Sequence, residues 1–331
     1  MDFRSDVTKL SSKLGYDEEL FAYIAKQAST YYKPFHLVGA KTRHIDSPGD
    51  KNSPLKKLQK KINTQLLQPE AYRLPSAMKG GIKKSDFFDH VSPHTSSKTL
   101  VCMDLSNCFP SISEHRILNV WKSLGYSSEN AKLLTRLTTY RGYLPQGPPT
   151  SPMLCNFALA KMVSEIETLC KKSGLNYTQY IDDINVSGDD KRAREVIGPI
   201  HNIASEHNQK IKRKKTKIQD SKHSQVISKN SKVNKKVKVT EEYKSNLMSV
   251  ISSVDVSRVS QAEVDSITGK IKYVQRVSPK EAVKMRKVFD DVMLSAYVHD
   301  DGKRSKKDAV KPCWDYKKHQ FQKTKCKELV I

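Results

Sequence analysis

Two adjacent carboxylates interrupt a run of the chain that otherwise has the composition of a β-strand. They are Asp182 and Asp183, within the segment TQYIDDINVSG. Neighbouring side chains in a strand point to opposite faces, so both carboxylates can serve one site only where the backbone turns. An exposed turn, in which Asp bonds locally to the backbone, is the simpler alternative. The groups that the fold brings to this hairpin decide between the two interpretations.

A third carboxylate, Asp104, ends the apolar run KTLVCMD, which predicts a buried strand. If that strand pairs with the hairpin, all three carboxylates converge. Carboxylates that share a site repel one another, so they either take up protons or bind cations. Oxygen ligands suit Mg²⁺, and two Mg²⁺ ions can stabilise the attacking and leaving oxygens of a phosphoryl transfer. The three residues therefore predict a site with two Mg²⁺ ions.

The overall charge indicates an anionic partner. The 331 residues include 59 Lys and Arg against 35 Asp and Glu, a formal net charge of +24. Such a charge opposes compaction unless an anion neutralises it, and nucleic acid is the obvious candidate. A basic surface that only maintains solubility is the alternative. We find no signal-peptide segment, no membrane-length apolar run and no Cys-x-x-Cys pair, so we expect a cytoplasmic protein without a membrane partner.

The elements that must position the carboxylates can be read from periodicity and turn residues. YYKPFHLVGAKTRHID predicts a strand pair, and PLKKLQKKINTQLL predicts an amphipathic helix with a basic face. Ser111 to Glu114 has capping-box spacing, which predicts a helix just after it. YRGYLPQGPPTSP is too rich in Pro and Gly for a regular element, and a long helix should begin at Thr150 or Ser151. From Tyr243 to about Tyr297 the pattern is helical.

Three segments, VCMDLSNCFPSI, YLPQGPPTSPMLCNFAL and YIDDINVSG, resemble the three palm motifs of reverse transcriptases, in the same order. The matching region runs from roughly residue 41 to residue 279. The resemblance implies an α+β right-hand polymerase fold with fingers, a palm of antiparallel sheet backed by helices, and a helical thumb. It divides the chain into an N-terminal helix and fingers (1–98), a palm interleaved with the fingers (99–240), a thumb (241–300) and a basic tail (301–331).

The same resemblance assigns roles at the catalytic centre. It implies that Asp104 and Asp182 are metal ligands, that Asp183 supports them, and that the carbonyl of Leu105 completes the shell of the second metal. It also implies that Lys215, in KRKKTKI, can protonate departing pyrophosphate. The neighbouring lysines 214 and 217 remain alternatives for that role.

Further residues are assigned to the incoming dNTP. Phe109 would lie beneath the sugar and exclude a 2′-hydroxyl, although a core position is the alternative. Gln146 and Gly147 would lie under the nascent base pair, where glycine permits a close backbone approach. Lys41 and Arg43 would hold the triphosphate from the fingers hairpin, unless they only form its solvated face.

The RNA contacts implied by the resemblance come from the thumb and from the segment before the palm. The thumb segment DSITGKIKYVQRVSP would track a duplex backbone, and Tyr273 would stack on a sugar or base or belong to the core. The basic tail, with Trp314, Tyr316 and Phe321, would bind RNA or be disordered. The other residues assigned to RNA binding are His94, Lys270 and Lys272.

Within the family, the compact chain resembles retron reverse transcriptases. Such enzymes copy a cognate structured non-coding RNA (msr–msd) into single-stranded DNA that stays joined to the RNA, and commonly act in anti-phage defence with an effector protein. Two retron signatures are imperfect. At the place of the signature Asn-Ala-x-x-His, the segment His90-Val-Ser-Pro-His94 keeps only the last His. At the place of the signature Val-Thr-Gly, the chain has Val226-Ile227-Ser228. Three alternatives remain: a compact defence reverse transcriptase without branching, a non-catalytic RNA-binding palm protein, and an RNA-dependent RNA polymerase.

Overall fold

The N-terminal part of the protein is mainly helical and carries one exposed hairpin. The computed structural model describes residues 4, 6–38, 42–228, 231–295, 313–315 and 320–322, so Lys41 lies outside the described residues. The hairpin pairs its two strands antiparallel, as the sequence predicts. The elements are α1 (Val7–Lys13), α2 (Glu18–Lys26), β1 (Lys33–Leu37), β2 (Arg43–Ser47), α3 (Pro54–Ile62) and α4 (Phe87–Val91). Short 3₁₀ or π turns cover Ala28–Tyr31, Asn63–Leu67, Gln68–Arg73, Ser92–His94 and, further on, Arg213–Lys215.

The centre of the chain folds around an antiparallel sheet of order β4-β5-β3-β6. The predicted strand KTLVCMD is its β3, and the predicted hairpin is its β4 and β5. Helix α7 packs against β4 and α9, and their apolar residues belong to one core shared with the N-terminal helices. The elements are β3 (Thr99–Asp104), α5 (Glu114–Ser123), α6 (Ser128–Thr138), α7 (Ser151–Lys172), β4 (Asn176–Tyr180), β5 (Asp183–Gly188), α8 (Asp190–Glu195), α9 (Ile197–Glu206) and β6 (Lys217–Asp220).

A small sheet and a helical unit follow. Strands β7, β8 and β9 form the small sheet, and helices α10, α11 and α12 share their own cluster of buried apolar residues. None of the described helices is both long and apolar enough to cross a membrane. The elements are β7 (Val226–Ile227), β8 (Ser231–Lys232), β9 (Lys238–Val239), α10 (Glu241–Ser252), α11 (Gln261–Val277), α12 (Pro279–Ser295), β10 (Cys313–Asp315) and β11 (Gln320–Gln322). The predicted tail residue Tyr316 lies outside the described residues, and only the backbone is described at Trp314 and Phe321.

One predicted helix cap is wrong in its residue. Helix α5 begins at Glu114, but its cap is Ser113, whose hydroxyl accepts a hydrogen bond from the Arg116 amide at 3.2 Å. The Ser111 hydroxyl instead donates to Cys108 O and to Gln209 Oε1. Ser111 still belongs to the turn after β3. It lies too far before α5 to reach the first backbone amides of that helix.

A buried polar network connects the segment around α4 to strands β4 and β5. His90 and His94 are both 0% exposed. The ring nitrogens of His94 lie 2.8 Å from Ser187 Oγ and 2.7 Å from Thr178 Oγ1. His90 lies 2.9 Å from Thr178 Oγ1 and 2.6 Å from Asn185 Nδ2. Because buried polar groups are costly when unpaired, this network fixes the two strands that carry the adjacent carboxylates.

The network makes the stability of the protein depend on pH. Burial lowers the pKa of His94 to about 3, and burial together with the charges of His94 and Lys79 lowers that of His90 to about 3. An unfolded His titrates near ~6.5, so between that pH and 3 the unfolded chain binds more protons. The free energy of unfolding is therefore lost as pH falls through this window, by about 1.4 kcal/mol per pH unit for each group.

We expect the His94→Asn variant to have a shallower pH dependence than the unmodified protein. Between pH 5.5 and 4.5, the slope of its unfolding free energy should be smaller by roughly 1.4 kcal/mol per pH unit, because one buried imidazole is gone. Urea unfolding at several pH values measures the slope. His115→Asn, at an exposed position, is the matched control and should leave the slope unchanged. Equal slopes for both variants would contradict a neutral buried His94.

Candidate active site

The register of the central sheet brings the three carboxylates together. Asp104, the last residue of β3, is paired with Asp183, the first residue of β5. Asp182 occupies the turn just before it, and its carbonyl accepts a hydrogen bond from the Leu105 amide at 2.9 Å. The convergence predicted from the sequence is therefore present, and the three carboxylates lie at one end of the two central strands of the sheet.

The turn between β4 and β5 explains how adjacent carboxylates can serve one site. Ile181 has φ of 59°, an unusual value for a β-branched residue. Its carbonyl accepts a hydrogen bond from Gln179 Nε2 at 2.8 Å. A Cβ atom on Gly80 would lie 2.8 Å from the Ile181 side chain, so only glycine fits beside it. The local strain is held by these neighbours, and it turns the chain between the two carboxylates.

Burial and the neighbouring carboxylates both disfavour the charged forms of Asp182 and Asp183. Burial, followed by the charges of Asp183 and Asp104, raises the pKa of Asp182 to about 6. Burial also raises the pKa of Asp183, although the Ser228 hydroxyl, which donates to Asp183 Oδ2 at 2.9 Å, opposes the shift. The hairpin therefore concentrates more negative charge than the protein alone compensates.

Two lysines partly offset this charge. Lys215 Nζ lies 3.5 Å from Asp104 Oδ2, and Lys212 Nζ donates to Asp104 Oδ1. Burial lowers the pKa of Lys212. The hydrogen bond to Asp104 and the negative charge of Asp104 raise it by more, so the net shift is upward. The predicted residue Lys215 is thus at the carboxylates. Lys212 is a further one that sequence reasoning missed, and only its place in the basic run KIKRKK signalled it.

A cleft of 1140 Å³ extends from the carboxylates to helix α11. Asp104 and Asp183 line one end of it. Five of the residues assigned to nucleotide or RNA contacts also line it: Arg43, Lys215, Lys270, Lys272 and Tyr273. The helical unit α10–α12 thus faces the carboxylates across an open space lined by cations.

The loop predicted to lie under the base pair contacts the hairpin β1–β2. The Asp46 amide of β2 donates to the Gln146 carbonyl at 2.8 Å, and Asp46 is 1% exposed. Gly147 has φ of 130°, and a Cβ there would lie 2.9 Å from Ile45 Cγ2. In the described part of the chain, Gln146, Gly147 and the half-buried Phe109 are not among the residues that line the cleft. Phe109 instead packs against the main core.

The expectation that His94 binds RNA does not fit its position. Both of its ring nitrogens already bond to strand hydroxyls in the buried network, and no part of the side chain reaches the surface. We therefore assign His94 a structural role.

A match to a protein-family model identifies the family of this chain. The family model "Reverse transcriptase (RNA-dependent DNA polymerase)" matches residues 51–245, which is more than half of the chain and includes all three carboxylates. The chain belongs to the reverse transcriptase family. It is therefore an RNA-directed DNA polymerase with the expected right-hand polymerase fold, and an RNA template is its partner.

Curated relatives of this reverse transcriptase are retron enzymes. Retron Se72 reverse transcriptase of Salmonella heidelberg (strain 579083-10) is 27% identical over 91% of this chain and 82% of its own length. Retron Mx65 reverse transcriptase of Myxococcus xanthus is 26% identical over 59% of this chain and 50% of its own length. The expected resemblance to bacterial retron reverse transcriptases is confirmed.

Solved structures give a weaker likeness. Telomerase from Candida albicans in complex with a fragment of telomeric RNA has a TM-score of 0.46 and 10% identity, over 87% of this chain and 65% of that chain. The assignment of the fold therefore rests on the family match and on the geometry of the palm sheet.

The family implies dependence on a divalent metal, and the donor chemistry of this site fits one. Burial and then the neighbouring carboxylate charges raise the pKa of Asp182 and Asp183, and a bound cation would oppose both effects. Among the described residues, however, no three His, Cys, Asp or Glu side chains already form a cluster of ligands. Asp104 bonds to Lys212 and Lys215 instead. A metal bound here must replace those ammonium groups.

Sequence reasoning also missed the aromatic contacts that join the hairpin β4–β5 of the reverse transcriptase to helix α11. The Phe87 ring lies 5.5 Å from that of Tyr180, which precedes the turn, and 5.7 Å from that of Tyr273 in α11. Tyr273 is half-buried and also bonds to Ser231. These contacts agree with the alternative prediction that Tyr273 is a packing residue, and Tyr273 also lines the cleft.

Gly147→Ala should loosen the contact between the loop and the fingers hairpin, because the new methyl group meets Ile45 and the Asp46 carbonyl. We expect faster hydrogen exchange at the Asp46 amide, measured by mass spectrometry or NMR. Gly142→Ala is the matched control: Gly142 also has a positive φ, of 82°, but nothing lies within 4 Å of its added Cβ. That variant should keep the Asp46 protection. Equal exchange in both variants would mean that the close approach at Gly147 is not required.

Proposed function

We propose that this reverse transcriptase copies a cognate structured non-coding RNA into single-stranded DNA that remains joined to the RNA. Synthesis begins on the 2′-hydroxyl of an internal guanosine, which leaves a branched product. The observation that carries the catalytic part is the pairing of Asp104 with Asp183 beside Asp182. The branched product is supported by the resemblance to retron enzymes.

The proposed catalytic centre uses two Mg²⁺ ions held by the carboxylates of Asp104 and Asp182, with Asp183 and the carbonyl of Leu105 in support. When bound, the ions activate the attacking hydroxyl and stabilise charge on the leaving group. Lys215, or Lys212 next to it, donates a proton to the departing pyrophosphate. The contacts of both ammonium groups with Asp104 support this role.

The dNTP occupies the carboxylate end of the cleft. Arg43 contacts the triphosphate from β2, and the assignment of Lys41 to the same role stays a prediction, since Lys41 lies outside the described residues. Gln146 and Gly147 support the base pair through the loop that is bonded to β2. The RNA and its DNA product lie along Lys270 and Lys272, which are exposed on α11.

The biological setting follows from the retron resemblance alone. We propose that the enzyme works in the cytoplasm, in anti-phage defence, beside an effector protein. A defence reverse transcriptase that makes unbranched DNA is the second candidate. It is favoured by one observation, the replacement of the Val-Thr-Gly signature by Val226-Ile227-Ser228.

The nucleic acid that co-purifies with the enzyme tests the proposal. The gene is expressed together with its flanking DNA, and the extracted nucleic acid is treated with RNase and then with a 2′–5′ debranching enzyme. We expect a single-stranded DNA whose gel mobility changes after debranching. Asp182→Asn should yield no such DNA, because the site loses a charged metal ligand. Asp190→Asn is the control for removing a carboxylate, since Asp190 is exposed on α8 and bonds to Thr99 and Arg194.

Each other outcome has a defined meaning. DNA whose mobility is unchanged by debranching would favour the unbranched alternative. Absence of DNA from the unmodified enzyme, together with no dNTP incorporation on a primed RNA template, would favour a non-catalytic RNA-binding protein. Incorporation of NTPs in place of dNTPs would indicate an RNA polymerase.

Phe109→Ala should admit ribonucleotides, if the ring lies beneath the sugar as proposed. We expect the ratio of kcat/KM for dCTP to that for CTP to fall roughly 10-fold or more, since removing the ring relieves a clash with the 2′-hydroxyl. Steady-state incorporation on a primed RNA template measures the ratio. Phe109→Tyr, which retains the ring, should keep it. An unchanged ratio in Phe109→Ala would assign Phe109 to the core alone.

A further inference from the structure

A second groove lies at the end of the palm sheet opposite to the carboxylates. Thr99 begins β3 and pairs with Asp220 of β6, and the Ser221 amide donates to the Lys98 carbonyl at 2.8 Å. Five residue steps separate Thr99 from Asp104, which is roughly 17 Å at ~3.3 Å per residue. A molecule bound beside Lys98 therefore does not occupy the catalytic centre.

The groove is large and basic. Its volume is 1120 Å³. The residues that line it are Ser96, Ser97, Lys98, Ser221, Asn234, Lys235, Lys236 and Lys238. Lys98 pairs with Asp189 at 3.5 Å, but both side chains are exposed, so this pair holds the lysine only weakly. Among the described residues, the other three lysines of the groove have no ion pair within 4.0 Å.

The fold presents two of these lysines to solvent from a fixed backbone. Val233 and Val237 are buried on either side of Lys235 and Lys236 and belong to a small core with Leu100. Both lysines are exposed. The two buried valines that flank the lysine pair therefore orient both lysines toward solvent.

Hydrogen bonds fix the same loop at Asn234. Its carbonyl accepts from the Ser96 amide, and its side-chain nitrogen donates to the His223 carbonyl at 2.8 Å. Its side-chain oxygen accepts from the Gln225 amide at 3.1 Å. The basic loop is thus held by both backbone and side-chain bonds, so little ordering is needed when an anion binds.

The chemistry of the groove fits phosphates on a helical backbone. Lysines and serine hydroxyls are the groups that contact phosphate oxygens in nucleic-acid complexes. None of the described lining residues is aromatic, whereas single strands are bound largely by stacking of their bases on aromatic rings. Double-stranded RNA is recognised mainly through its backbone and shape. The lining therefore favours a duplex stem over a single strand.

We propose that this groove binds the phosphate backbone of a double-stranded stem of the RNA that the enzyme copies. The proposal rests on the proposed function for the identity of the RNA, although duplex binding itself is tested separately from catalysis. The stem occupies the far end of the palm while the template lies in the catalytic cleft. The groove thereby distinguishes a structured RNA from an unstructured one of equal length.

Binding of a blunt 16-base-pair RNA duplex to the full-length enzyme tests the groove. Fluorescence anisotropy gives the Kd from 50 to 300 mM KCl for the unmodified enzyme and for Lys235→Gln/Lys236→Gln. We expect the double variant to bind more weakly at low salt and to reduce the slope of log Kd against log salt by about 2, one unit for each lost phosphate contact. Lys122→Gln/Lys132→Gln, at exposed positions of α5 and α6, removes the same charge elsewhere and should change the slope little.

The catalytic readout is kept apart by using a short template. On a short RNA template annealed to a DNA primer, the groove variant should retain the kcat and KM of the unmodified enzyme, because the groove is remote from the carboxylates. Equal effects of the two double variants on duplex binding would overturn the proposal. So would a competition experiment in which polyglutamate displaces the duplex as readily as unlabelled duplex RNA does. If the unmodified enzyme makes no DNA but the groove variant alone loses duplex affinity, the proposed function fails and the groove stands.

Discussion

The structure depends on one constraint, the pairing of two carboxylates across the central sheet. The register that places Asp104 opposite Asp183 also aligns the buried residues of β3 and β5, and a shift of either strand by one residue would turn its side chains to the opposite faces of the sheet. Hydrophobic packing thereby holds like charges near one another. Burial and the neighbouring carboxylate charges raise the pKa of Asp182 and Asp183, which is the electrostatic cost of that arrangement.

The surroundings of the hairpin are organised to sustain this cost. Below the turn, His90 and His94 bond to residues of both strands, and burial keeps the two imidazoles neutral. Beside it, Lys212 and Lys215 provide positive charge that is close to Asp104 but partly solvated. The protein therefore neutralises the site incompletely, which is the condition under which a metal and the phosphates of a nucleotide can still bind.

The helical unit α10–α12 contacts the segment around α4, which in turn contacts the same hairpin. Phe87 touches both Tyr180 and Tyr273, and Arg276 of α11 pairs with Asp86 and Asp89 around the short helix α4. A displacement of α11 would thus change the packing around Tyr180, next to the carboxylates. The cleft between the carboxylates and α11 is lined by cations from both sides, Lys215 and Lys217 on one and Lys270 and Lys272 on the other.

The sequence by itself predicted the three clustered carboxylates, the strand and hairpin that carry them, the irregular loop around Gln146 and the helices near the C-terminal end of the described chain. These features depend on local periodicity, turn residues and motif order, which a linear chain displays. The tertiary structure alone decided the contact of Lys212 with Asp104, the burial of His94 and the groove at Lys235. Each of these depends on which side chains meet across elements distant in the chain. A histidine or lysine has the same letter whether burial pairs it with a hydroxyl, a carboxylate or solvent, and only packing chooses among them.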